Sequence, residues 1–95
     1  MGGYVYIMTN AVSGTLYTDV TADLVKRVTQ HREGTGSDFR KRHGLTRLVH
    51  VEHYDRIQEV IWREKVIKAW MRARKLNLIE KNNPEWADLY LTIIW

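Results

Sequence analysis

Four side chains in this sequence, Tyr6, Tyr17, Arg27 and His31, have the chemistry needed to act on a phosphodiester, and their spacing allows them to meet. An arginine clamps a phosphate through paired hydrogen bonds and stabilises the charge that builds up in the transition state. A tyrosine or histidine relays the proton of an attacking water. Arg27 and His31 are four residues apart, so a helix puts them on one side. Tyr6 and Tyr17 fall on neighbouring predicted strands, where their hydroxyls can approach each other. Each type also has a commonplace alternative: a tyrosine that packs in the core with its hydroxyl satisfied, or an arginine solvated on a helix surface.

Glu64 raises a different question. Ile57, Val60, Ile61, Ile67 and Met71 define the apolar face of a predicted helix, and at about 100° per residue Glu64 falls near the middle of that face. A carboxylate aimed at a core is costly unless it is paired or ligates a metal. An ion pair with Lys68, four residues on, meets the same pattern on a partly exposed helix. Other chemistries are excluded. Gly34-Thr35-Gly36 follows a helix and not a strand, so it is no dinucleotide fingerprint. His50 and His53 lack metal-ligand spacing with further ligands. There is no Walker loop and no serine in a nucleophile elbow.

The elements that must position these groups follow from periodicity and turn residues. Tyr4 to Met8 is predicted as a strand with Tyr4, Tyr6 and Met8 on one face and Val5 and Ile7 on the other. A polar turn, Thr9–Gly14, leads to a second strand over Thr15 to Val20, where Tyr17 shares a face with Thr15 and Asp19. Thr21 is the expected N-cap of a helix running to about Arg32, with Leu24, Val25, Val28 and His31 as its stripe and Gly34 as its stop. Residues 34–46 form a basic loop around Phe39. Leu48 to Tyr54 is a third strand, with Val49 and Val51 facing one way. Asp55 and Gln58 form a capping-box pattern for a long helix to about Met71, with further helix to about Glu80. Asn83-Pro84 is predicted to open a last short helix. The order implies an α+β fold with a small three-stranded antiparallel sheet flanked by helices.

The chain of 95 residues fits one domain over 1–95. Its single proline and ordinary 44% hydrophobic content argue against disorder. The absence of cysteine removes disulfides, zinc ribbons and thiol nucleophiles and fits a reducing cytoplasm. No stretch approaches the ~18 apolar residues of a membrane span, and no signal peptide pattern opens the chain, so a cytoplasmic protein without membrane contact is expected. The net charge is +4, and the cations cluster. Arg40, Lys41, Arg42 and Arg47 form one group. Arg63, Lys65, Lys68, Arg72, Arg74 and Lys75 form another, opposed only by Glu64. Clustered cations favour a phosphate backbone, because each neutralised phosphate releases counterions. Arg40, Lys41, Arg42, Lys65 and Lys68 are therefore the expected nucleic-acid contacts.

At these same residues the sequence resembles the GIY-YIG nuclease superfamily, and more closely its short, stand-alone bacterial, UPF0213-like members. Tyr4-Val5-Tyr6 stands where the first tripeptide lies, and Leu16-Tyr17-Thr18-Asp19-Val20-Thr21 covers the second. Asp23-Leu24-Val25-Lys26-Arg27-Val28 resembles the helix of the catalytic arginine, and Arg63-Glu64-Lys65 the segment of the metal-binding glutamate. Leu78-Ile79-Glu80, Asn82-Asn83-Pro84-Glu85-Trp86 and Asp88-Leu89 resemble the ending of the stand-alone group. The match covers about residues 3–91. It implies hydrolysis of a phosphodiester with one divalent metal, Mg²⁺ or Mn²⁺. Tyr6 would help activate water with Tyr17 and His31 assisting, Arg27 would hold the scissile phosphate, and Glu64 would hold the metal. The implied partner is nucleic acid, DNA ahead of RNA.

One departure bears on activity. The second tripeptide usually ends in glycine, and here Asp19 stands in its place. An aspartate there narrows the site and repels a phosphate, or else supplies a second carboxylate to the metal. The expectation is a metal-dependent endonuclease whose activity Asp19 weakens. Two other classes of function compete with it: a catalytically inert nucleic-acid-binding module, and a protein-interaction domain built on Trp62, Trp70, Trp86 and Trp95.

Overall fold

The computed structural model describes residues 2–35 and 44–94. Its elements in chain order are β1 (Gly3–Thr9), β2 (Leu16–Thr21), α1 (Leu24–Glu33), β3 (Arg47–Tyr54), α2 (Ile57–Ala69), α3 (Arg72–Asn82) and α4 (Tyr90–Ile93). The strands pair antiparallel in the order β2-β1-β3. The expected α+β class and three-stranded sheet are the ones observed. Among the described residues no helix is long and apolar enough to cross a membrane.

A core lies on each face of the sheet. Val5 and Ile7 of β1 join Val49, Val60, Ile67, Ile79 and Trp86 on one face. Tyr6 and Met8 join Leu24, Val28, Leu45 and Leu48 on the other. Thus α2 and α3 cover the first face, and α1 and α4 the second. The central strand is buried on both sides, which is why Val5 to Met8 reads as an unbroken apolar run.

The face assignment of β3 departs from simple alternation. Its register against β1 passes from Ile7 opposite His50 to Met8 opposite Leu48, which leaves Val49 as the extra residue of a β-bulge. Val51 lies opposite Tyr6, on the tyrosine face, whereas Val49 drops into the other core. The expected common face for the two valines is therefore not formed. The bulge frees the Val49 carbonyl, and buried Asn83 Nδ2 donates to it at 3.2 Å.

Helix boundaries also shift where side chains find better partners. The N-cap of α1 is Asp23, whose Oδ1 accepts from the Lys26 amide, while the expected cap Thr21, two residues earlier, bonds the Asp23 backbone through its Oγ1. Gly34 closes α1 at φ 69°, as expected. The Asp55–Gln58 capping box is not formed, because α2 starts later, after Arg56, with no side-chain cap bond. The long helix breaks at Trp70 and Met71, both extended, and the turn carries α3 onto β3. Asn83 ends α3 and opens no new helix. A turn follows, with fully buried Trp86 at φ 57°.

The stripe that α2 turns inward is Val60, Arg63, Glu64 and Ile67, at helical spacing. Val60 and Ile67 are buried and the two charged residues half-buried. Ile57 and Ile61 of the expected apolar face are exposed, and Met71 lies past the helix end at 84% exposure. Arg63 turns inward because Glu52 on β3 takes two hydrogen bonds from it, at 2.8 and 3.2 Å.

Candidate active site

The β1–β2 register places Tyr6 opposite Asp19 and Met8 opposite Tyr17. Opposed residues of an antiparallel pair share a face, so Tyr6, Tyr17 and Asp19 all lie under α1. That helix sends Leu24, Val28 and His31 inward at helical spacing and leaves Arg27, one turn before His31, at the rim. Cap, stripe and register thus converge on one cluster.

Within it, the hydroxyl of fully buried Tyr6 lies 3.2 Å from Nε2 of buried His31. The His31 ring stands edge-on to both tyrosines, with centroids 5.7 Å from Tyr6 and 5.6 Å from Tyr17. The Tyr17 hydroxyl donates to Asp19 Oδ2 at 3.0 Å, and Arg27 Nη1 reaches the same oxygen at 3.5 Å. The other oxygen, Oδ1, accepts the Val20 backbone amide at 2.8 Å. Burial pushes the Tyr6 phenol far above its ordinary pKa, and the Asp19 charge adds to this while the Arg27 guanidinium opposes it. Tyr6 is therefore a neutral phenol at physiological pH.

Glu64 is not brought into this cluster: it lies on α2, the helix that packs on the opposite face of the sheet. Its Oε2 pairs with Lys68 Nζ at 3.1 Å, and its side chain is 16% exposed. The ion pair weighed from the sequence is thus formed, through one of the two carboxylate oxygens. Among the described residues no three His, Asp or Glu side chains converge on one point. A cation at Glu64 would be held by one carboxylate and otherwise by water and phosphate oxygens, which Mg²⁺ accepts. Glu64 fits that part. Lys65 is exposed on the same helix, beside Lys68. Arg40, Lys41 and Arg42 lie outside the described residues.

Two features escaped sequence reasoning. One is that Asp19 is bonded into the cluster and does not merely face it. The other is the group around Glu52, which accepts from His50 Nε2 at 2.7 Å, from Tyr54 at 2.6 Å and from Arg63. Burial works to raise the Glu52 pKa, but the hydrogen bonds from His50, Arg63 and Tyr54 win and hold it far below the usual carboxylate range. The spacing of His50, Glu52 and Tyr54 at every second residue of a strand was the available signal. Of the tryptophans, Trp86 is buried, Trp70 lies between the guanidiniums of Arg63 and Arg74 at 5.1 and 4.3 Å, and Trp62 is 67% exposed. Trp95 is outside the described residues.

A two-tyrosine sheet under a helix that carries arginine and histidine defines a class, and comparison with known proteins gives the same one. The model of the GIY-YIG catalytic domain matches residues 2–77. The chain belongs to the GIY-YIG family, a nuclease superfamily. Relatives within the family include UPF0213 proteins. One from Syntrophus aciditrophicus is 42% identical over 83 residues, covering 86% of this chain and 93% of the relative. One from Staphylococcus saprophyticus is 36% identical over 78 residues, covering 82% and 94%. The solution NMR structure of a UPF0213 protein from Bacillus halodurans superposes with a TM-score of 0.59 at 27% identity, over 93% of each chain.

Proposed function

We propose that the protein is a cytoplasmic, metal-dependent endonuclease that hydrolyses phosphodiester bonds in nucleic acid, DNA ahead of RNA. The observation that carries this reading is the Tyr6–His31 contact beside Tyr17 and Arg27. A phenol held neutral by burial is a poor base by itself. With His31 Nε2 as acceptor, Tyr6 passes its own proton to His31 while its oxygen takes a proton from the attacking water. Arg27, at the rim, binds the scissile phosphate and stabilises its growing charge. Tyr17 supplies a second donor beside it. Glu64 would hold Mg²⁺ or Mn²⁺, which when bound supplies Lewis-acid stabilisation of the leaving oxygen. Lys65 and Lys68 extend the contact along the phosphate backbone.

One observation favours a second reading, an inert nucleic-acid-binding module: the Asp19 carboxylate already holds Arg27. A panel of single-stranded, double-stranded and branched DNA and RNA with Mg²⁺ or Mn²⁺ separates the two. The nuclease reading requires cutting by wild type that is lost in Glu64→Ala and Arg27→Ala. Salt-sensitive binding with no cutting by any of the three supports the inert module. Absence of binding refutes both and leaves the interaction domain.

A further inference from the structure

Asp19 is held in one orientation and aimed at two donors. The bond from the Val20 amide fixes Oδ1, and this directs Oδ2 between the Tyr17 hydroxyl and the Arg27 guanidinium. A carboxylate oxygen that accepts from a phenol and a guanidinium occupies the donor set that a non-bridging phosphate oxygen takes. The two anions cannot share it, because like charges at that separation repel strongly. The Arg27 contact is long, at 3.5 Å, and the side chains of Arg27 and Asp19 are 36% and 22% exposed. An ion pair this open is weak and exchangeable.

We propose that Asp19 is a built-in occupant of the phosphate subsite, holding Arg27 and Tyr17 in place until a substrate phosphate displaces it. The proposal rests on the nuclease reading of the cluster. The carboxylate acts on ground-state binding: it raises the concentration of phosphodiester needed to fill the site. Asp19 makes no hydrogen bond to the Tyr6–His31 pair and acts on Tyr6 only through its charge, across space. Asp19 in this role acts on KM through ground-state binding.

The test uses the full chain and the variants Asp19→Asn and Asp19→Gly, each checked for folding by circular dichroism and urea unfolding. Asparagine keeps an oxygen for Tyr17 and Arg27 but removes the charge, and glycine removes the occupant. Inorganic phosphate is titrated against ¹⁵N-labelled protein while the Arg27 Nε–H resonance is followed, a readout that needs no cleavage. The expected result is a phosphate Kd about 5–10-fold tighter in both variants, equivalent to about 1–1.4 kcal/mol. In cleavage assays KM falls by a similar factor. Phosphate affinity and KM within twofold of wild type overturn the proposal. So does a loss of kcat at constant KM, which makes Asp19 a positioning residue for Tyr17, or a loss of Mn²⁺ affinity in Asp19→Asn, which makes it a metal ligand. Tighter phosphate binding in chains that cleave no nucleic acid upholds the occupied subsite and refutes the nuclease reading alone.

Discussion

Replacing Tyr6 by phenylalanine separates packing from chemistry at the centre of the cluster. The Tyr6 ring is fully buried in a core with Met8, Leu24 and Val28, and phenylalanine keeps that burial. What is lost is the hydroxyl and its 3.2 Å contact with His31. A single hydrogen bond of this kind contributes about 1 kcal/mol, so the melting temperature of a chain this size falls by about 4–8 °C. If the hydroxyl relays the proton of the attacking water, the cleavage rate falls about 10²–10⁴-fold, which is about 3–5 kcal/mol of barrier. The assay is single-turnover cleavage with enzyme in excess, well below the melting temperature of both proteins, so that the stability loss does not reach the rate. A rate within about threefold of wild type refutes the relay and reduces Tyr6 to a packing residue.

Two further outcomes concern the frame around the site. Asn83→Ala strands the Val49 carbonyl of the bulge and the Ala87 amide, so stability falls by about 2 kcal/mol and the melting temperature by about 10 °C; thermal unfolding measures it, and a change under about 2 °C dissolves the account of the bulge. Glu52 has a depressed pKa in the folded chain, so its stabilisation is present above the unfolded carboxylate value of about 4.3 and is lost as pH falls below it. Glu52→Gln should lower the urea midpoint at pH 7 and flatten its decline toward pH 3, whereas parallel pH curves for the two proteins rule out Glu52 as a source of the acid sensitivity.

How far the sequence alone reached depends on the range of the determinant. Strands, α1 and the Gly34 stop rest on local periodicity and turn chemistry, and these were legible. The tyrosines, Arg27 and His31 were legible as a set because strand alternation and helical spacing both point them at one face. The errors are long-range. Val49 and Val51 separate because Asn83, over thirty residues later, caps a bulge that nothing within β3 announces. The inward stripe of α2 keeps Val60, Glu64 and Ile67 but takes in Arg63, bonded to Glu52 on another element, and leaves Ile57 and Ile61 exposed. Glu64 came out as a partnered carboxylate, and periodicity had already said that it must be either that or a ligand. Asp19 was visible as a departure, but its three bonding partners depend on register and on the pose of α1.

The C-terminal segment after α3 acquires a physical role from these contacts. Asn83 fastens the tail to the bulge of β3, and Asp88 Oδ1 and the Leu89 amide then pair with Leu48 just before it. From that anchor the tail reaches α1 on the opposite face. Asp88 Oδ2 holds Arg32, the Tyr90 hydroxyl meets Thr29 Oγ1 at 2.8 Å, and the Arg32 guanidinium lies 4.3 Å over the Tyr90 ring. Thr29 and Arg32 flank His31 on the same helix, one turn beyond Arg27. The sheet supplies the tyrosines from its own backbone, but the arginine and histidine are only as well placed as α1, a helix of ten residues. A helix that short has little stability of its own, so its pose must come from what it packs against. Tertiary clamps from both sides, the sheet beneath and the tail across the end, hold it in register with β2. The tail thus positions Arg27 and His31 through α1 without contacting either side chain.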